Sequence, residues 1–159
     1  MLMSIFFAFI ATVAFCFLFN SPRKTMLAAG IIGAAGWGTF IFMRDLQFFS
    51  SPVSNLFATV VIALLSELFA RIFKQPVTVY AIPGIIPLVP GLPMYQGMVY
   101  LMMGNNSLAL EKLIKALLDA GAISLGILIV SSIFRVIKVN KVTTHISNNL
   151  GGERKHEKI

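Results

Sequence analysis

The chain has 159 residues, 57% of them hydrophobic and only 12% charged, with a mean hydropathy of +0.86 and a formal net charge of +7. That much apolar side chain excludes a disordered polymer, and a body this small has too little interior to hide it, which excludes a small soluble domain. What remains is an all-α integral membrane protein.

Five apolar stretches each approach the roughly 20 residues that a helix needs to cross the hydrocarbon. The first, Met1 to Phe19, ends at Asn20-Ser21-Pro22-Arg23-Lys24. It has no basic lead-in and is longer than the apolar part of a signal peptide, so it reads as a retained helix. The second, Met26 to Met43, carries no charge and ends at Arg44-Asp45. Its Gly30, Ala34 and Gly38 recur every four residues, with Gly33 and Gly36 widening a small-residue face suited to close helix packing. The third, Pro52 to Phe73, opens on a proline well placed for a helix start. The fourth, Val77 to Met103, is crowded with prolines, and the fifth runs from Ala120 to Ile137. Before the fifth lies a short amphipathic piece, Leu108 to Leu118, whose leucines leave Glu111, Lys112 and Lys115 on the wet side. Ala122 and Gly126 give the fifth span a small face of its own; Ser124, Ser131 and Ser132 read as back-bonded within their helix. Residues 1–141 thus form the transmembrane domain and 142–159 a polar tail.

Basic residues orient this arrangement. One side holds Arg23, Lys24, Arg71, Lys74, Arg135, Lys138, Lys141, Arg154, Lys155 and Lys158; the other holds Arg44, Lys112 and Lys115. The richer side is expected to be cytoplasmic, with the N-terminus outside and the C-terminus inside. The basic excess fits anionic lipid headgroups better than nucleic acid.

The fourth stretch breaks the rules of the bilayer. Pro83, Pro87, Pro90 and Pro93 are four of the chain's seven prolines, within residues 83–93. Each lacks an N–H and crowds the carbonyl four positions back, so no regular helix is expected from about Val79 to Pro93. The carbonyls of Val79, Pro83, Ile86 and Val89 lose their usual donors, which is costly in hydrocarbon unless protein or water encloses them. Broken helices of this kind line substrate sites in secondary transporters. After Pro93 a half-helix is expected, whose free N–H groups from Met94 to Gly97 make a seat for a carboxylate, with Tyr95 and Gln96 adding a hydroxyl and an amide. The plainer alternative is a kinked or re-entrant element that only shapes the fold.

Glu67 and Arg71, four apart on the third span, share a face and can pair. One reading is an interfacial pair with Arg71 reaching for water; the other makes Glu67 a proton or cation site on the substrate path. Asp119 reads as a solvated charge at the start of the fifth helix. Cys16 is the single cysteine, so no internal disulfide forms, and His145 and His156 have no metal-ligand spacing. No phosphate-binding glycine loop and no nucleophile–base–acid set appears, so neither an enzyme nor a cofactor is expected.

Pro76, the run Ile82-Pro83-Gly84-Ile85-Ile86-Pro87-Leu88-Val89-Pro90-Gly91, and Tyr95 resemble the signature of the threonine/serine exporter (ThrE-like) family, above all its short YjjB-like subunit. Ser66-Glu67-Leu68-Phe69-Ala70-Arg71 is similar to the family's lead-in. The resemblance implies a subunit of a bacterial inner-membrane secondary exporter of small polar metabolites, most simply threonine or serine. It also implies a larger membrane partner with a cytosolic N-terminal domain. A dicarboxylate exporter subunit of the succinate type, or a non-transporting assembly subunit, is the alternative. On this reading Pro83, Gly84, Pro87, Pro90, Gly91, Pro93, Tyr95 and Gln96 form the substrate site, with Glu67 and Arg71 coupling transport to an ion.

Overall fold

A computed structural model describes residues 2–46 and 49–156, with side chains described through Val136. Helices α1 (Leu2–Leu18), α2 (Arg23–Asp45) and α3 (Ser51–Phe73) follow one another. The proline-rich stretch becomes α4 (Thr78–Ile85), a 3₁₀ turn (Ile86–Leu88) and α5 (Gly91–Met102). Then α6 (Asn106–His156) closes the chain. There is no strand among the described residues. The side chains of residues 137–156 and all of 157–159, and with them most of the expected polar tail and both histidines, lie outside the described part.

The observed architecture is the all-α membrane protein expected, with about five spans and the fourth broken. Three helices are long and apolar enough to cross a bilayer: α2, α3 and the Asn106–Val136 part of α6. The α4–α5 pair, bent by 48°, counts as a fourth, and α1 is a shorter apolar helix of 17 residues. Apolar side chains such as Phe6, Phe17, Leu27, Ile31, Leu68 and Leu128 point outward, as a lipid-facing surface requires.

The last part of the chain departs from the sequence reading. The amphipathic piece and the fifth span are one continuous helix, because nothing between Leu108 and Val136 breaks it: no proline, and Gly121 and Gly126 are tolerated inside a helix. The residues that α6 buries before the span are Ala109, Ala116 and Asp119, while Leu110, Ile114, Leu117 and Leu118 face out. Asn105 starts the helix by accepting a hydrogen bond from the Leu108 N–H at 3.3 Å. Gly104, at φ +74°, makes the turn from α5 in a conformation that suits glycine.

At the centre stands α2, packed against α1, α3 and α4. Its tight contacts come every three residues, at Gly30, Gly33 and Gly36, rather than at the four-residue spacing of Gly30, Ala34 and Gly38. A Cβ at Gly30 would lie 2.6 Å from the Phe9 ring and 2.7 Å from Val13 of α1, and one at Gly33 would strike the Thr12 hydroxyl. One at Gly36 would strike Ile62 of α3. Ala34 and Gly38 stay half-buried. A three-residue step turns the contact gradually round the helix, so the same face serves α1 and then α3. Across the other seam, Gly126 of α6 admits Thr59 of α3, whose Cβ would be 2.9 Å from an added methyl. Thr12 and Thr59 turn their hydroxyls back to Ala8 and Asn55 carbonyls at 2.8 and 2.7 Å, and Ser124 does the same to Ala120 at 3.0 Å.

Gly33→Leu is expected to destabilise the chain by about 1–3 kcal/mol through overpacking against α1, read as a lower melting midpoint in detergent. Gly121→Ala, at a position with nothing within 4 Å of the added carbon, leaves the midpoint unchanged or raises it.

Candidate functional site

The break in the fourth span is shorter than the prolines alone suggest. Pro76 and Val77 start α4 with tight bonds, Val79 N–H to the Pro76 carbonyl at 3.2 Å and Tyr80 N–H to that of Val77 at 3.1 Å. The helix then runs through Pro83, because a single interior proline removes one bond and leaves those on either side. Pro87 falls in the first turn of the 3₁₀ segment, where its missing N–H matters least. The actual break is at Val89 and Pro90. Val89 is extended (φ −58°, ψ 129°), the conformation a following proline favours.

Three of the four carbonyls expected to lack donors find them nearby. Pro83 accepts from Ile86 N–H, Ile86 from Val89 N–H at 3.1 Å, and Val89 from Gly91 N–H at 2.8 Å. Tighter turns thus replace the lost helical bonds, so most of the broken backbone needs no water to be satisfied. The half-helix begins at Gly91, earlier than expected, and Met94 N–H already donates to the Pro90 carbonyl at 3.3 Å. The N–H groups of Met94 to Gly97 are therefore inside the helix and do not form the expected anion seat.

The expected site residues separate into three places. Pro83 and Gly84 are buried, and a Cβ on Gly84 would lie 3.2 Å from Ile62 of α3 and 3.3 Å from Ile32 of α2. Pro83, with Ile82, also edges a cavity of about 280 Å³ beneath the α1–α2 turn at Phe19 to Pro22. Pro87 lines a second cavity of about 370 Å³, together with Ser4, Phe7, Ala8, Ala11 and Trp37. On the second limb, Gly91 is open, Tyr95 is 67% exposed, and Pro90, Pro93 and Gln96 are half-buried. This limb packs on α6 through Gly97, where a Cβ would lie 2.8 Å from Leu113. Glu67 and Arg71 form a third group. Arg71 Nη2 is 3.6 Å from Glu67 Oε2, and its guanidinium lies 4.5 Å from the centre of the Phe134 ring of α6. The Glu67 side chain is only 16% exposed.

Polar atoms that sequence reasoning passed over stand around the first limb. Tyr80 is wholly buried, its ring 6.4 Å from that of Phe69, and its hydroxyl has no partner. The Ser66 hydroxyl and the Trp37 indole N–H, stacked 5.3 Å from Phe40, are likewise buried and unpaired. Tyr80 lies three residues before Pro83 and Ser66 one before Glu67, so both sat beside the signals that were read. Their burial depends on how α2, α3 and α4 face one another. Unpaired buried donors are costly to leave so; of these residues Trp37 lines the space beside Pro87, while Tyr80 and Ser66 are enclosed by the packed helices.

Comparison with known proteins bears on what such a bundle does. Residues 4–133 match the model of the family described as "Threonine/Serine exporter, ThrE". The chain belongs to this family. It is also similar to an uncharacterized protein of Haemophilus influenzae, 25% identical over 144 residues. That alignment takes in 84% of this chain and 48% of the relative, so the chain spans about half the length of the curated relative it matches. No solved structure matches. The chain is a multi-pass membrane protein of a transporter family.

Tyr80→Phe removes a hydroxyl that has been buried without a partner. It is expected to stabilise the ligand-free chain by about 1–3 kcal/mol, measured as a raised melting midpoint. An unchanged midpoint would mean that the hydroxyl is already satisfied.

Proposed function

We propose that the chain is one subunit of a secondary exporter of small polar metabolites, threonine or serine first among them. The observation that carries this reading is the family match over residues 4–133, which takes in the broken fourth span and the proline, Pro90, at its break. A broken span with unpaired buried donors beside it is the arrangement in which a transporter holds a hydrophilic cargo at membrane depth. Pro83 and Gly84 fix the first limb against α2 and α3. Pro87 and Trp37 line the cavity next to the break, and Pro90 and Gly91 form the joint about which the second limb, with Pro93, Tyr95 and Gln96, meets the cargo. Glu67, paired with Arg71, is the coupling carboxylate: taking up a proton or cation there releases Arg71 from its partner.

The partner in this reading is a larger membrane subunit with a cytosolic N-terminal domain. Its support is that the chain matches about half of a longer relative and that its α5 limb packs mainly on α6 while exposing Leu92, Met94, Tyr95 and Met98. The bacterial inner membrane, with the N-terminus outside and the C-terminus in the cytoplasm, is supported by the placement of the basic residues.

Cells carrying the pair are expected to release labelled threonine and serine faster than cells lacking this chain; equal release of amino acids together with faster release of succinate moves the cargo to dicarboxylates. Glu67→Gln is expected to abolish gradient-driven export at normal yield of the complex, and undiminished export removes Glu67 from coupling. Pro90→Ala and Tyr95→Phe are expected to change the concentration dependence of export. If they change only the amount of complex recovered, the broken span serves assembly.

A further inference from the structure

The reading of Asp119 as a solvated charge at a helix start does not hold. It lies well inside α6, is 3% exposed, and packs against the first turn of α3. Ser51 Oγ donates to its Oδ2 at 3.1 Å, and its Oδ1 is buried with no partner. One turn further along the same face of α3 is Asn55, 3% exposed, whose Oδ1 is also buried with no donor. Two unpaired acceptor oxygens on a pair of packed helices are an unusual thing to bury. The positively charged groups do not relieve it. Among the described residues the ion pairs are Arg71–Glu67 and Lys112–Glu111. From Ser51 to Ser66, α3 carries no titratable side chain; Lys115, one turn before Asp119 on α6, is exposed and makes no ion pair with it. The titratable groups of α5, which packs on α6 further along, are the tyrosines Tyr95 and Tyr100.

We propose that Asp119, with Ser51 and Asn55, is a proton-binding site at the α3–α6 seam, at the opposite end of the bundle from Glu67. A proton on Asp119 removes a charge that is costly away from water and makes its carboxyl able to donate as well as accept. The ionised form has its own support in the Ser51 hydroxyl and the free N–H groups of the first turn of α3. The cluster offers four side-chain oxygens, too few for a hard metal cation that takes about six. Pro52 and Leu118, the sequence neighbours of Ser51 and Asp119, line an apolar open cleft of about 300 Å³ on the same seam. Along α3, Ser51 and Glu67 are sixteen residues apart, roughly 24 Å at the helical rise. Resting on the exporter reading, the proposal gives the chain two carboxylates for coupling, one toward each end.

Two measurements test it. Infrared spectra of the intact chain in nanodiscs, recorded across pH, are expected to show a protonated-carboxyl band that appears as pH falls. One component of that band is lost in Asp119→Asn, which keeps the shape and the Ser51 contact, while the five other Asp and Glu carboxyls keep theirs. In proteoliposomes holding the pair, Asp119→Asn is expected to lose accumulation driven by a pH gradient while retaining exchange of cargo at equal concentrations. Carboxyl bands left unchanged by Asp119→Asn, pH-driven accumulation that survives it, or accumulation that follows a sodium gradient instead of pH each overturns the proposal. If the wild-type pair moves no cargo while the Asp119 band titrates, the proton site stands and the exporter reading fails.

Discussion

In a bilayer, apolar side chains gain little by leaving lipid for one another, so helices associate where their backbones can come close. In this protein that closeness is supplied by missing side chains on α2. Gly30 and Gly33 receive α1, and Gly36 receives Ile62 of α3. Gly84 then brings α4 against Ile32 and Ile62. Four helices meet in this way, and the first limb of the broken span inherits a fixed position from them. Its second limb has a different standing, since α5 leans on α6 alone among its major contacts. A fixed limb and a loosely attached one, joined at an extended Val89 and Pro90, form a natural joint.

The prolines matter here for direction more than for unsatisfied backbone. Short-range turns recapture the carbonyls of Pro83, Ile86 and Val89, leaving a 48° bend as the lasting consequence. Polarity in the interior is instead carried by side chains: the Trp37 indole, the hydroxyls of Ser66 and Tyr80, and one oxygen each of Asn55 and Asp119, all buried without partners. They fall into two groups. The first lies on the helices around the fixed limb and suits a cargo; the second is at the α3–α6 seam and suits a proton. α3 contributes to both, with Ser66 in one and Asn55 in the other, so a shift of this helix would act on the two together.

Glu67 and Asp119 illustrate how differently two carboxyls in one bundle are treated. Glu67 is partly open and tied to Arg71, which itself rests on the Phe134 ring and so links α3 to α6. Asp119 is closed off, held by one hydroxyl and without a cation. An exposed ion pair of this sort contributes little to stability and breaks easily, whereas a buried carboxyl answers mainly to whether it carries a proton. On the proposed exporter reading, the two suit different steps of one transport cycle.

Span count, the place of the break and the family were legible in the residues themselves, because hydropathy and proline act locally: a run of apolar side chains or a missing N–H has the same effect wherever the chain goes. The extent of the break was less so, since the rescue of Pro83, Ile86 and Val89 carbonyls depends on turns that the neighbouring helices hold in place. The glycine face of α2 was visible, but its three-residue rhythm was not, because that follows from α1 and α3 lying on successive sides of it. The burial of Tyr80, Asn55 and Asp119 was decided by tertiary structure alone. Which side of a helix meets protein and which meets lipid is set by the rotation of one helix against another, and in a chain that is apolar all round no periodicity records that choice.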